Sequence, residues 1–118
     1  MALTDDQSQY VAYLLELMQS IGEVYARPMF GGHGVFLDKL MFALIADGVL
    51  YLKADAESRV VFEQRHLQAF SYMKKGKAFN LSYFQAPDDA LEDPDEMAQW
   101  AQQAYTVALK ANVKKPGQ

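Results

Sequence analysis

Two apolar runs, Leu40-Met41-Phe42-Ala43-Leu44-Ile45-Ala46 and Val49-Leu50-Tyr51-Leu52, are separated by Asp47-Gly48, and they constrain the fold more than any other feature of the chain. Asp-Gly between apolar runs is hairpin chemistry, because both central positions tolerate positive φ. An antiparallel strand with one wet face alternates polar and apolar residues. These runs are apolar at both parities, so both faces of the sheet must be kept from water. Helices of the chain account for one face. For the other, two coverings are open: loops and the terminal helix wrapping over it, or a second subunit or partner protein packed on that face or on an edge strand beside it.

The flanking segments supply the helices. Thr4 with Gln7 reads as a capping box, and Val11, Leu14, Leu15 and Met18 follow at helical spacing until Gly22 ends the pattern. From Val24 the pattern is extended, and Pro28 argues for an edge position or a strand start rather than a central strand. Val35 to Leu37 resumes it, and Asp38-Lys39 turns the chain into Leu40. Asp55 is the expected N-cap of a short helix through about Arg65, with Phe62 and Val61 facing inward. Phe70–Met73 and Phe79–Gln85 read as strands joined by Lys74-Lys75-Gly76-Lys77. Asp93, Pro94 and Glu96 open a last helix whose inward stripe is Met97, Trp100, Ala101, Ala104, Val107, Ala108 and Ala111.

The expectation is an α+β fold, an antiparallel sheet of about five strands with three helices packed mainly on one face, in the order α-β(3-4)-α-β(2)-α. Residues 1–118 are expected to form a single domain, ordered over about 4–112 with a flexible tail at 113–118.

Several chemistries are excluded or disfavoured. The chain has no cysteine, which removes thiolate catalysis and cysteine zinc sites. His33 and His66 are the only imidazoles, neither lies in a nucleophile motif, and both read as structural or surface residues. The acidic stretch Asp88, Asp89, Glu92, Asp93, Asp95, Glu96 lacks calcium-loop spacing and reads as helix-end electrostatics. Gly31-Gly32-His33-Gly34 is no phosphate loop, since it leads into a strand. Its glycines read as positions of positive φ, a bulge or close approach of another segment, bending the chain between Phe30 and Val35, while Arg27 is expected in a structural hydrogen bond or ion pair. No catalytic, cofactor or metal residues are assigned, and an enzyme is not expected.

A net charge of −4 disfavours direct nucleic-acid binding. The alternative patch is Lys74, Lys75 and Lys77, with Lys53 and the C-terminal lysines, beside Tyr72 and Tyr83. The N-terminus shows no targeting segment and no apolar run long enough to span a bilayer, so a cytoplasmic protein without membrane contact is expected.

The run Arg27-Pro28-Met29-Phe30-Gly31-Gly32-His33-Gly34-Val35-Phe36, then Met41-Phe42-Ala43-Leu44, Leu50-Tyr51-Leu52-Lys53-Ala54-Asp55, Tyr83, Ala86-Pro87 and Asp93-Pro94, closely resembles the N-terminal domain of the TfoX/Sxy family of bacterial competence regulators. Phe36 stands where family members often carry Tyr. The resemblance implies three helices on an antiparallel sheet of about five strands, similar to secretion chaperones, with Arg27, Met29, Phe30, Gly31, Gly32 and Gly34 as its structural signature. It also implies a non-catalytic transcriptional co-regulator, full-length members helping the cyclic-AMP receptor protein at competence promoters. The helical second domain usual in the family is not in this sequence, so a stand-alone form is expected. The leading expectation is a regulatory protein-interaction domain whose partner is a transcription factor or a second copy as a homodimer. The alternatives are a nucleic-acid module using the lysine turn and a small-molecule domain with a cleft beside His33 and Arg27.

Overall fold

The computed structural model describes residues 5–29, 31–74 and 76–114. In order, the elements are α1 (Asp5–Leu17), a 3-10 turn (Gln19–Ile21), β1 (Tyr25–Met29), β2 (Gly32–Leu37), β3 (Leu40–Ala46), β4 (Val49–Lys53), α2 (Arg59–Gln64), β5 (Ala69–Lys74), β6 (Lys77–Gln85), α3 (Asp88–Glu92) and α4 (Pro94–Lys114). The sheet has six strands in the order β1-β2-β3-β4-β6-β5, every pairing antiparallel.

Turn chemistry explains the meander. Asp38 and Lys39 close β2 onto β3 at φ 51° and 69°, and Asp47 and Gly48 close β3 onto β4 at φ 51° and 75°. Two successive positive φ values match the right-handed twist of the flanking strands, and the Asp47-Gly48 hairpin is as expected. After β4 the chain leaves the sheet through α2, returns as the outermost strand β5, and turns back so that β6 lies between β4 and β5. Pro28 stands inside β1, which lies at the edge of the sheet, the strand position that tolerates a residue without an N–H.

The helices share one face. Leu14 and Leu17 of α1, Phe62 of α2 and Met97, Ala101, Ala104, Tyr105 and Ala108 of α4 pack with Val35, Leu37, Phe42, Ala43, Ile45, Leu50, Leu52 and Phe84 of the sheet. A second cluster, Leu44, Phe70 and Tyr83 with Met41, Ala46 and Tyr51, contains strand residues alone. A bulge sets this division. Pairing passes from Val35–Ala43 to Phe36–Met41, leaving Phe42 without a partner on β2. Consecutive Phe42 and Ala43 are therefore both buried among the helices, and Met41 turns to the opposite face with Phe36.

The expected fold class and the one-sided helix layer are present, with six strands and four α-helices among the described residues in place of about five and three. The additional helix is α3, whose first turn holds Asp88 and Asp89. Asp95 and Glu96 likewise sit in the first turn of α4, and Asp93 Oδ1 accepts a hydrogen bond from the Asp95 N–H at 2.9 Å. Acidic side chains are favourable there because helix N-terminal N–H groups lack intrahelical partners.

Asp55 caps the turn of residues 56–58 that leads into α2, three residues before the Ser58 that directly precedes the helix. Its Oδ1 accepts from the N–H groups of Glu57 (3.1 Å) and Ser58 (2.7 Å), while Ser58 Oγ accepts from the Asp55 N–H at 3.0 Å. Of the two residues assigned inward, Phe62 is buried against the rings of Phe84 and Trp100, both at 5.4 Å, but Val61 points outward at 39% exposure. A helix as short as α2 has room for one inward position, and Phe62 occupies it. In α4 the expected stripe faces the core, with Trp100 and Ala111 half-buried, and Tyr105 joins it. That helix continues through Lys114, past the expected end of order near residue 112; residues 115–118 and the Thr4 cap lie outside the described residues. No helix among the described residues is long and apolar enough to cross a membrane.

Candidate functional site

The helix-free sheet face is the surface that local sequence leaves unexplained. Cross-strand register aligns Arg27, Gly34, Leu44, Tyr51 and Gln85 in one row on this face. Tyr25, Phe36 and Met41 form the adjacent row. The Tyr25 and Phe36 rings stack at 5.5 Å and 14°.

Gly34 has a steric role here. A Cβ at this position would lie 2.9 Å from the sulfurs of both Met29 and Met41 and 3.0 Å from a ring carbon of Phe36. The missing side chain lets two thioethers and an aromatic edge close over β2. Farther along the face Leu44, Phe70 and Tyr83 are buried, the Tyr51 and Phe70 rings meet edge-on at 5.1 Å, and Lys53 Nζ stands 5.0 Å above the Tyr83 ring. Burial pushes the Tyr83 phenol up to about 12, so Lys53 faces a neutral ring whose π-face attracts it. Tyr25 remains 38% exposed, Arg27 is exposed, and Met29, Phe36, Met41 and Tyr51 are half-buried. The terminal helix offered as a cover packs instead on the opposite face, against β3 and β4.

The signature residues divide by function. Phe30 lies outside the described residues, and Gly31 alone occupies the bend, at φ 75°. Gly32 and Gly34 are inside β2, which corrects the expectation that three glycines bend the chain. At Gly32 a Cβ would overlap the Ile45 carbonyl oxygen and lie 3.0 Å from its carbon and 3.1 Å from Ala46 Cα, so close approach of β3 excludes a side chain. Arg27 belongs to neither ion pair of the described residues, Arg59–Glu63 and Arg65–Asp89, because it projects from an edge strand on the side away from both. The expectation of a structural bond for it is corrected accordingly.

His33 and Arg27 do not share a cleft. His33 pairs with Pro28 and Ile45 and is buried at 8% exposure, whereas Arg27 pairs with Gly34 and faces the opposite side of the sheet. His66 is exposed at φ 60°, with Leu67 N–H bonded to the Phe62 carbonyl at 2.9 Å, so it ends α2 in a left-handed C-terminal cap. Among the described residues no group of three or more His, Cys, Asp or Glu side chains is placed to hold a metal ion. Lys74 and Lys77 pair at the tip of the β5–β6 hairpin, the side chains of Tyr72, Lys74 and Lys77 are outside the described set, and so is Lys75 altogether.

Sequence reading identified the doubly apolar runs but not Tyr25, Phe36, Met41 and Phe70 as one surface. The signal that could have joined them is the absence of any acidic residue from the strands.

Comparison with known proteins points to one family. The TfoX N-terminal domain profile matches residues 16–108. The DNA transformation protein TfoX1 of Aliivibrio fischeri is 30% identical over 87 residues, covering 74% of this chain and 42% of that protein. Protein Sxy of Escherichia coli is 24% identical over 95 residues, covering 80% of this chain and 46% of that protein. The chain thus spans less than half the length of these curated relatives. With most of its length matched, and its signature residues accounted for by β1, its turn and β2, the chain belongs to the TfoX N-terminal domain family.

Proposed function

We propose that this chain is a non-catalytic regulatory domain that binds another protein through its helix-free sheet face, in the control of DNA uptake. The carrying observation is an apolar and aromatic face, Tyr25, Met29, Phe36, Met41 and Tyr51, without a helix over it among the described residues and still partly open to solvent. An open apolar patch in a folded domain is the usual signature of a docking surface. The relative named a DNA transformation protein supports the biological setting, and the separation of buried His33 from exposed Arg27 supports a role other than catalysis.

The test is replacement of the chromosomal gene by Tyr25→Asp, with Gln102→Glu on the exposed side of α4 as control. Both proteins are expected to melt within a few degrees of wild type. Tyr25→Asp should lose transcription of DNA-uptake genes and transformation, and Gln102→Glu should keep both. A folded Tyr25→Asp protein with wild-type transcription and transformation would refute the proposal.

A further inference from the structure

Charge in this chain is sorted by layer. All 15 acidic residues lie in helices, turns or connecting segments, and none lies on a strand. The charged residues on strands are Arg27, Lys53, Lys74 and Lys77, every one basic. An acidic protein of net charge −4 therefore presents a sheet face on which the charged groups are cations.

Resting on the docking role above, we infer that the partner segment is an acidic amphipathic helix. Its apolar side chains would seat on Met29, Phe36 and Met41 around Gly34, with its carboxylates toward Arg27 on one flank and Lys53 on the other. Arg27 is on β1 and Lys53 on β4, three interstrand intervals apart. At ~4.8 Å per interval this gives roughly 14 Å between flanks. A helix of ~10 Å diameter fits between them. Methionines that yield over a glycine suit an apolar helix face, since thioether chains repack at little cost.

Two other occupants fit less well. A second copy presenting the same face would set Arg27 and Lys53 against basic groups. Single-stranded nucleic acid needs open ring faces for base stacking. Here Phe70 and Tyr83 are 6% and 7% exposed, Lys53 lies over Tyr83, and Tyr25 is stacked on Phe36.

The experiment uses the intact chain and two fluorescent synthetic amphipathic helices of one apolar pattern, with glutamate at the polar positions of one and lysine at those of the other. Binding is read by anisotropy and mapped by amide chemical shifts. The glutamate peptide is expected to bind in a salt-sensitive manner, to shift β1–β4 resonances, and to lose ~10-fold or more in affinity in Arg27→Glu, whose exposed side chain can be reversed without unfolding the domain. The lysine peptide should bind at least ~10-fold more weakly. Equal binding of both peptides on β1–β4 would overturn the acidic partner but leave a protein-docking face. Shifts confined to the helices, or no binding by either peptide, would overturn the inference and count against the docking face as well. A single-stranded oligonucleotide that outcompetes the glutamate peptide, or a dimer formed through this face at working concentration, would also overturn it.

Discussion

Gly32→Ala and Gly34→Ala insert the same methyl group two residues apart in β2, and the structure predicts very different costs. At Gly32 the new carbon meets the Ile45 carbonyl and Ala46 Cα, all backbone atoms of β3. Neither strand can rotate a side chain away, so β2 and β3 must separate locally. Overpacking strain of ~1–3 kcal/mol adds to a weakened ladder hydrogen bond of ~1 kcal/mol. Against this, alanine restricts the unfolded chain and returns ~0.5–1 kcal/mol. The expected loss for Gly32→Ala is about 1–3.5 kcal/mol. At Gly34 the nearest atoms are the sulfurs of Met29 and Met41, the ends of flexible side chains on a half-open face. They can swing outward, so Gly34→Ala is expected within ~1 kcal/mol of wild type. Urea unfolding followed by circular dichroism measures both, and the melting temperature of Gly32→Ala should fall by roughly 4–14 °C. Gly32→Val should fare worse still. A Gly32→Ala protein as stable as wild type, or a Gly34→Ala protein less stable than Gly32→Ala, would refute the close-approach account.

Three further outcomes are expected. Phe62→Ala should lose ~3–5 kcal/mol in urea unfolding, because the ring is 1% exposed between Phe84 and Trp100 and is the buried anchor of α2. Lys39→Gly should raise the urea midpoint, equivalent to ~0.5–1 kcal/mol, since Lys39 holds φ 69° without a side-chain reason while its turn partner Asp38 accepts a hydrogen bond from the Tyr105 hydroxyl at 3.3 Å. Asp55→Ala should lose ~1 kcal/mol at neutral pH. Hydrogen bonding from the Ser58 N–H is the largest influence holding the Asp55 carboxyl below the usual range. That stabilisation is complete above the unfolded carboxylate value of ~4 and is lost as pH falls through the lower folded value, so melting curves of wild type and Asp55→Ala should converge in acid.

For the wider family, the division of labour within the glycine motif carries a practical consequence. Gly31 serves the turn, Gly32 the approach of β3 and Gly34 the methionine contact, so substitutions across one short motif report on three separate properties. A loss-of-function variant at Gly32 is expected to be a folding defect. A variant at Arg27 or Tyr25, both exposed, is expected to report on binding.

What the sequence determined alone was whatever depends on a few neighbouring residues. Asp47-Gly48 specifies its hairpin, Asp55 caps the turn that leads into α2, Asp93 caps α4, Pro28 keeps β1 out of the sheet centre, and the α4 stripe faces inward because spacing and backbone preference act locally. The apolar runs also announced that both sheet faces matter. Only the tertiary structure decided how the runs divide between faces, because the bulge at Phe42 is a property of β2–β3 pairing, which periodicity within β3 does not reveal. The same holds for Val61, turned outward once Phe62 fills the space before Phe84 and Trp100, and for Gly34, whose role depends on two methionines from neighbouring strands. The helix-free face joins residues from Tyr25 to Tyr83 through β6 inserted between β4 and β5, a long-range pairing with no counterpart in local chemistry.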